Sequence, residues 1–163
     1  MTLAVCPGSF DPPTNGHVDV IERASRHFER VLVAVVGNPG KQSLLEPKER
    51  VALLEEALAH LPKVSVEAYE GLLVNLVRER GASVILKGLR NTSDTPYELQ
   101  MATINATLLP AADTMFVVSS PQWSFVSSSM VKEVARYGGD VSSFVPEGVA
   151  RALARCYGTA IDA

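Results

Sequence analysis

Residues 7–17 read PGSFDPPTNGH, with two glycines and three prolines in eleven positions, a hydroxyl at Ser9 and an imidazole at His17. A short apolar run, Leu3 to Cys6, precedes the stretch and reads as a first β-strand. An amphipathic run follows from His17 to Phe28, with Val18, Ile21, Ala24 and Phe28 at helical spacing and charged residues between them. The glycines and prolines leave the connecting turn little conformational freedom. A rigid turn between a strand and a helix brings backbone N–H groups, a hydroxyl and a histidine to a helix N-terminus, a place suited to phosphate.

The strand-then-helix pattern continues along the chain. Val31 to Val36 is an unbroken apolar run, as expected of a strand covered on both faces. Glu46 and Pro47 open a second helix, which Pro62 stops. Val64 to Ala68 alternates like a shorter strand, and Leu72 to Arg80 reads as a third helix ended by Gly81. Ser83 to Leu86 is a fourth strand, followed by the loop KGLR at 87–90. Pro96 starts a helix running to about Leu109, and Thr114 to Val118 is the fifth strand. A serine-rich loop, 119–129, leads into a helix from Met130 to Tyr137, and Pro146 begins a last helix reaching Tyr157. Such an alternation predicts an α/β fold: a Rossmann-like, doubly wound, five-stranded parallel sheet in a single domain, residues 1–163. Ligands of these sheets sit beyond the carboxyl ends of the strands. The loops after strands one, two, four and five are therefore expected to form one mouth.

Composition narrows the partners. Net charge is −3, with 15 basic and 18 acidic residues. That balance argues against nucleic acid or an anionic membrane as the main partner, while leaving room for a small anion held by a few cations. No apolar run approaches the roughly 20 residues of a membrane span, and no signal-peptide pattern opens the chain. Cys6 and Cys156 form no metal-ligand spacing and read as core residues of a reduced, cytoplasmic protein. His27 and His60 read as surface residues.

Two common nucleotide motifs fail. GxGxxG follows none of the strands. The segment around Gly40 and Lys41 has Val35 and Gln42 where a P-loop needs glycine and Ser or Thr. What remains is T-N-G-H at 14–17, KGLR at 87–90, YELQMATIN at 97–105 and WSFVSSS at 123–129. The serines lie between a strand and an amphipathic helix, where they supply cap hydroxyls and unpaired N–H groups and make a second anion site facing the first.

T-x-G-H in a first β–α loop resembles the motif of the nucleotidyltransferase superfamily. With the other three segments it resembles the phosphopantetheine adenylyltransferases over essentially the whole chain. The RTxGxSTT and ISSTxIR patterns of related transferases are absent. The resemblance implies adenylyl transfer from ATP to 4′-phosphopantetheine, giving dephospho-coenzyme A and pyrophosphate in the penultimate step of coenzyme A synthesis. It implies that Ser9 contacts both substrates, Phe10 lies against the nucleotide and His17 stabilises the transition state, with Lys41 and Arg90 also serving catalysis. Lys41, Leu73, Lys87 and Asn105 would bind phosphopantetheine. Gly88, Leu89, Arg90, Glu98 and the run Trp123, Ser124, Phe125, Val126, Ser127, Ser128 and Ser129 would bind ATP. It further implies Mg²⁺ held mainly by substrate phosphates, no metal site built from protein residues, and a homohexamer.

Against the family pattern, Ser9 replaces a common threonine, Lys87 a common arginine, Pro96 an acidic residue and Ala106 a basic one. The first keeps the hydroxyl; the second keeps charge but loses bidentate geometry. The attacking phosphate is already ionised at neutral pH, so the reaction needs positioning and charge stabilisation rather than a general base. Two rival readings are another small acceptor, such as glycerol 3-phosphate with CTP, and a non-catalytic nucleotide sensor.

Overall fold

The computed structural model describes residues 2–37, 40, 42–90 and 95–158. Five strands form one sheet: β1 (Leu3–Gly8), β2 (Arg30–Val36), β3 (Val64–Tyr69), β4 (Val84–Leu89) and β5 (Asp113–Val118). Their order is β3-β2-β1-β4-β5, and every neighbouring pair is parallel. The helices are α1 (Asn15–Ser25), α2 (Pro47–Leu58), α3 (Leu73–Glu79), α4 (Thr95–Leu108), α5 (Ser128–Arg136) and α6 (Glu147–Tyr157), with one 3₁₀ turn at Pro121–Trp123.

The unbroken apolar run of β2 is explained by its two faces. Val31, Val33 and Val35 pack with Val20, Ile21 and Ala24 of α1 and with Leu54 and Leu58 of α2. Leu32 and Ala34 point the other way, into a cluster with Leu76 and Val77 of α3. Successive strand side chains alternate between faces, so a strand covered on both must be apolar at every position. A third cluster, Val126, Val131, Val145, Val149 and Leu153, fastens α5 and α6 together and takes in Trp123 and Leu44 at its edge.

The main departure from the sequence reading is β4, which continues through Lys87, Gly88 and Leu89 instead of ending at Leu86. Its pairing with β5 runs to Leu89↔Val118, so only Arg90 of the KGLR segment lies beyond the strand. Gly88 is paired with Val117, and a glycine suits the position because α1 crosses close by: a Cβ there would come within 3.3 Å of Val20. Helix α5 begins two residues earlier than expected, at Ser128, because Ser127 caps it. Cys6 is buried as expected, but Cys156 is exposed on α6. His27 and His60 lie at the surface.

Sheet order decides where a cleft can form. From β1 the chain crosses to β2 on one side, while β4 lies on the other, so the loops leaving β1 and β4 part at this switch point. No helix among the described residues is long and apolar enough to cross a membrane.

Candidate active site

Two adjoining cavities open at the carboxyl ends of β1 and β4. The first, of about 210 Å³, is lined by Cys6, Phe10, Val20, Lys87, Gly88, Glu98 and Ser119 among others. The second, of about 320 Å³, is lined by Asp11, Gln42, Ser43, Ser127, Ser128, Ser129 and Lys132. Ser9, His17 and Arg90 line both. A molecule in one cavity and a molecule in the other would therefore meet at a hydroxyl, an imidazole and a guanidinium.

His17 is held by a reciprocal cap. Thr14 precedes α1, and its hydroxyl accepts from the His17 amide at 3.4 Å. The Thr14 amide in turn donates to His17 Nδ1 at 3.0 Å. An amide nitrogen can only donate, so Nδ1 carries no proton and the neutral ring holds its proton on Nε2. Burial, and secondarily the charge of Arg90, lowers the His17 pKa from 6.5 to about 4. At neutral pH His17 is thus an uncharged donor, suited to hydrogen bonding a phosphate oxygen through Nε2–H and unsuited to acting as a base.

This arrangement has a spectroscopic signature. In ¹⁵N-resolved spectra His17 is expected to remain the Nε2–H tautomer from pH 8 down to about 5. The folded-state pKa lies below the unfolded one, so the contribution of this group to stability is complete above pH 6.5 and is lost as pH falls toward 4. A His17 that takes up its second proton near the ordinary 6.5 would contradict the cap.

The sequence suggested that the turn offers backbone amides to an anion at α1. The structure shows those groups largely committed: Thr14 N and His17 N to the cap, and Asn15 N to the Phe144 carbonyl at 2.9 Å. What α1 presents is the imidazole.

Phe10 is almost fully buried and meets the His17 ring edge-on, with centroids 5.0 Å apart. Its φ of 47° is in the left-handed region, which carries a cost for a bulky side chain. That conformation folds the ring back beneath Gly8, where a Cβ would come within 2.9 Å of it. Phe10 thereby braces the imidazole, and it also lines the first cavity.

Around the cavities, Lys87 pairs with Glu98 at 3.3 Å. Arg90 Nη1 donates to the Val126 carbonyl at 3.2 Å, tying the end of β4 to the serine loop. Within that loop the Ser127 hydroxyl accepts from the Met130 amide, the Ser128 hydroxyl donates to the Pro12 carbonyl at 2.8 Å, and the Ser124 hydroxyl donates to the Pro121 carbonyl. Trp123 sits beside Gly16, where a Cβ would be 3.5 Å from the Trp123 Cβ. Val126 is buried, while Phe125 is exposed and touches Phe144 edge-on. Leu89 ends β4, its carbonyl accepting from the Ser119 amide at 2.8 Å. Leu73 begins α3 and packs at the edge of the core cluster there, and Asn105 is buried in α4; neither lines the two cavities. Lys41 lies outside the described residues.

Three residues that frame the site went unread in the sequence. Asp11 accepts from the amides of Leu44 and Leu45 and from Lys132 Nζ, each at 2.9 Å. Burial alone would raise its pKa; the two amides and Lys132 outweigh that and hold it below 3.8. Arg50, buried in α2, donates from Nη1 to the Ser9 carbonyl at 2.6 Å and pins the loop after β1. The only available hint for Asp11 was its place inside the quoted stretch, and for Lys132 its place after the serines. Their partners lie 33 to 121 residues away in sequence.

Among the described residues no cluster of three or more His, Cys, Asp or Glu could hold a metal ion. The carboxylates lining the two cavities, Asp11 and Glu98, are each paired with a lysine.

Residues 5–134 match the cytidylyltransferase-like family. The chain is 49% identical over 155 residues to the phosphopantetheine adenylyltransferase of Alkaliphilus metalliredigens (strain QYMF), an alignment spanning 95% of this chain and 99% of that protein. In fold it is similar to a Vibrio parahaemolyticus protein described as a nicotinate-nucleotide adenylyltransferase, with a TM-score of 0.69 and 19% identity over 96% of each chain.

Proposed function

From the premise that the chain belongs to the cytidylyltransferase-like family, and within it to the phosphopantetheine adenylyltransferases, we propose how its two cavities carry out adenylyl transfer. The reaction is ATP plus 4′-phosphopantetheine to dephospho-coenzyme A and pyrophosphate, a step of coenzyme A biosynthesis. The observation that carries the reading is the junction: Ser9, His17 and Arg90 line both cavities.

In this mechanism an oxygen of the acceptor phosphate attacks the α-phosphorus of ATP in line. A new P–O bond forms as the bond from the α-phosphorus to the bridging oxygen breaks, and the electron pair leaves with pyrophosphate. The acceptor is already an anion, so no proton need be removed from it. His17 Nε2–H donates to the α-phosphate oxygens as charge builds there, and Arg90 offsets charge on the same group. Because the cap and the Phe10 ring hold the imidazole beforehand, little reorganisation is needed at the moment of reaction. Ser9 and residues 123–129 bind the nucleotide together with Gly88, Leu89 and Glu98. Lys41, Lys87, Leu73 and Asn105 serve phosphopantetheine.

Mg²⁺ fits this donor set as an ion carried on substrate phosphates and water, where it neutralises polyphosphate charge. We place the enzyme in the cytoplasm, acting as a homohexamer with one domain per chain. Exposed Tyr97, Ile104 and Leu108 on α4, together with exposed Met115 and Val118 on the edge strand β5, are apolar surface of the kind that self-association would cover.

The test is pyrophosphate release from ATP with and without 4′-phosphopantetheine. Acceptor-dependent release with ATP is expected. Release that requires glycerol 3-phosphate and CTP, or that ignores the acceptor, would overturn the reading.

A further inference from the structure

On α1 the residues Gly16, Asp19, Val20 and Arg23 recur at three- and four-residue spacing and so share one face. The chain leaving β5 is seated along that face. Arg23 Nη1 donates to the Val118 carbonyl at 2.8 Å, at the last residue of the strand. The Ser120 hydroxyl donates to the Asp19 carboxylate, 2.8 Å from Oδ2 and 3.0 Å from Oδ1, and the Ser120 amide adds a longer bond to Oδ2 at 3.4 Å. Nearer the start of the helix, a Cβ on Gly16 would lie 3.5 Å from Trp123 Cβ and 3.7 Å from the Trp123 carbonyl oxygen.

Asp19 and Arg23 also lie 3.3 Å apart, as an i,i+4 ion pair would. A pair of that kind at a surface contributes little, and here each partner makes a shorter bond to the chain after β5, 95 to 101 residues away. Beyond Ser120 the backbone is stiff. Pro121 fixes its own φ, the Trp123 amide donates to the Ser120 carbonyl at 2.9 Å, and the Val126 amide donates to the Trp123 carbonyl at 3.0 Å. Arg90 holds the far end through the Val126 carbonyl. A stiff segment moves as a body, so the bonds at Ser120 set where Trp123 and the residues after it stand relative to His17, which is on the same helix as Asp19.

We infer that Asp19 is a positioning residue for the nucleotide: through Ser120 it fixes the segment 120–126 against α1, and with it one wall of the ATP site. The inference rests on the adenylyl-transfer reading above, in which residues 123–129 bind ATP. Asp19 acts on binding more than on chemistry, because the imidazole is held by Thr14 and Phe10 at the start of the helix.

Calorimetric titration with ATP alone and with 4′-phosphopantetheine alone, alongside steady-state kinetics, tests this. Asp19→Ala is expected to weaken ATP binding roughly tenfold and to raise the KM for ATP by a similar factor, as for loss of a hydrogen bond to a charged group. Turnover number and 4′-phosphopantetheine affinity should stay near their wild-type values. Ser120→Ala removes the partner hydroxyl without touching α1; it should give the same ATP-selective loss, and the double variant should lose little more than either alone. Asp19→Asn keeps one acceptor oxygen and should recover part of the affinity. Losses that simply add, or an equal fall in affinity for both substrates, would refute the positioning role, and unchanged ATP affinity in both single variants overturns the inference. If wild-type protein from the same preparation releases pyrophosphate on addition of 4′-phosphopantetheine, those outcomes leave the proposed reaction standing. A wild type that releases none sinks both.

Discussion

Replacing His17 by alanine is expected to lower turnover by roughly 10²–10³-fold while leaving nucleotide affinity near that of the wild type. The expectation comes from what the ring can do. Its Nδ1 is occupied by the Thr14 amide, its pKa is held near 4, and the position of the ring is set by Phe10. One donor, Nε2–H, is left facing the junction of the two cavities. A donor that meets charge developing on the α-phosphate acts mainly in the transition state, so its loss falls on kcat more than on ground-state binding. The fold should survive, since the substitution removes one half of a helix cap at a cost of about 1 kcal/mol. Measuring kcat, ATP affinity and the unfolding midpoint on the same variant separates these effects. Pyrophosphate release at nearly the wild-type rate would remove His17 from the mechanism.

Replacing Asp11 by alanine is expected to cost about 3–5 kcal/mol of folding stability, a large part of the total for a domain of this size. Two amides and an ammonium lose their acceptor together, and the ammonium sits beside a nearly buried position. An unpartnered buried donor costs more than a made hydrogen bond contributes, which is why the loss exceeds that of a surface ion pair. The pH dependence follows from the sign of the shift. The folded pKa of Asp11 lies below its ordinary 3.8, so the stabilisation is present above that value and is lost as pH falls through the folded one. Urea unfolding at pH 7 and again near pH 3 should therefore show the gap between wild type and Asp11→Asn narrowing in acid. A gap of constant size would mean that the carboxylate charge is not what holds the loops.

The strands and helices were legible because each writes its period into the chain. Val31 to Val36 announced a doubly covered strand, and the structure places its side chains in two separate clusters. The misplaced end of β4 has a local cause. Lys87 and Gly88 look like loop residues, and it is pairing with β5 that keeps them in the ladder. Cys156 was misassigned for a related reason, since a helical pattern says which residues share a face but a small residue at its margin can fall on either side.

PGSFDPPTNGH by itself determined that a stiff turn joins a strand to a helix and brings Ser9 and His17 to the same end of the sheet. Pro fixes its own backbone angle, Gly admits angles that other residues avoid, and Thr14 and His17 are close enough in sequence for a cap. Only the tertiary structure decided what that turn presents. It committed the amides at α1 and left the imidazole as the donor. It folded Phe10 inward, and it joined Asp11 to Leu44, Leu45 and Lys132. Local sequence sets backbone preferences over a few residues. The partners of a buried carboxylate, the pKa of a histidine and the meeting of two cavities depend on groups brought together from across the chain.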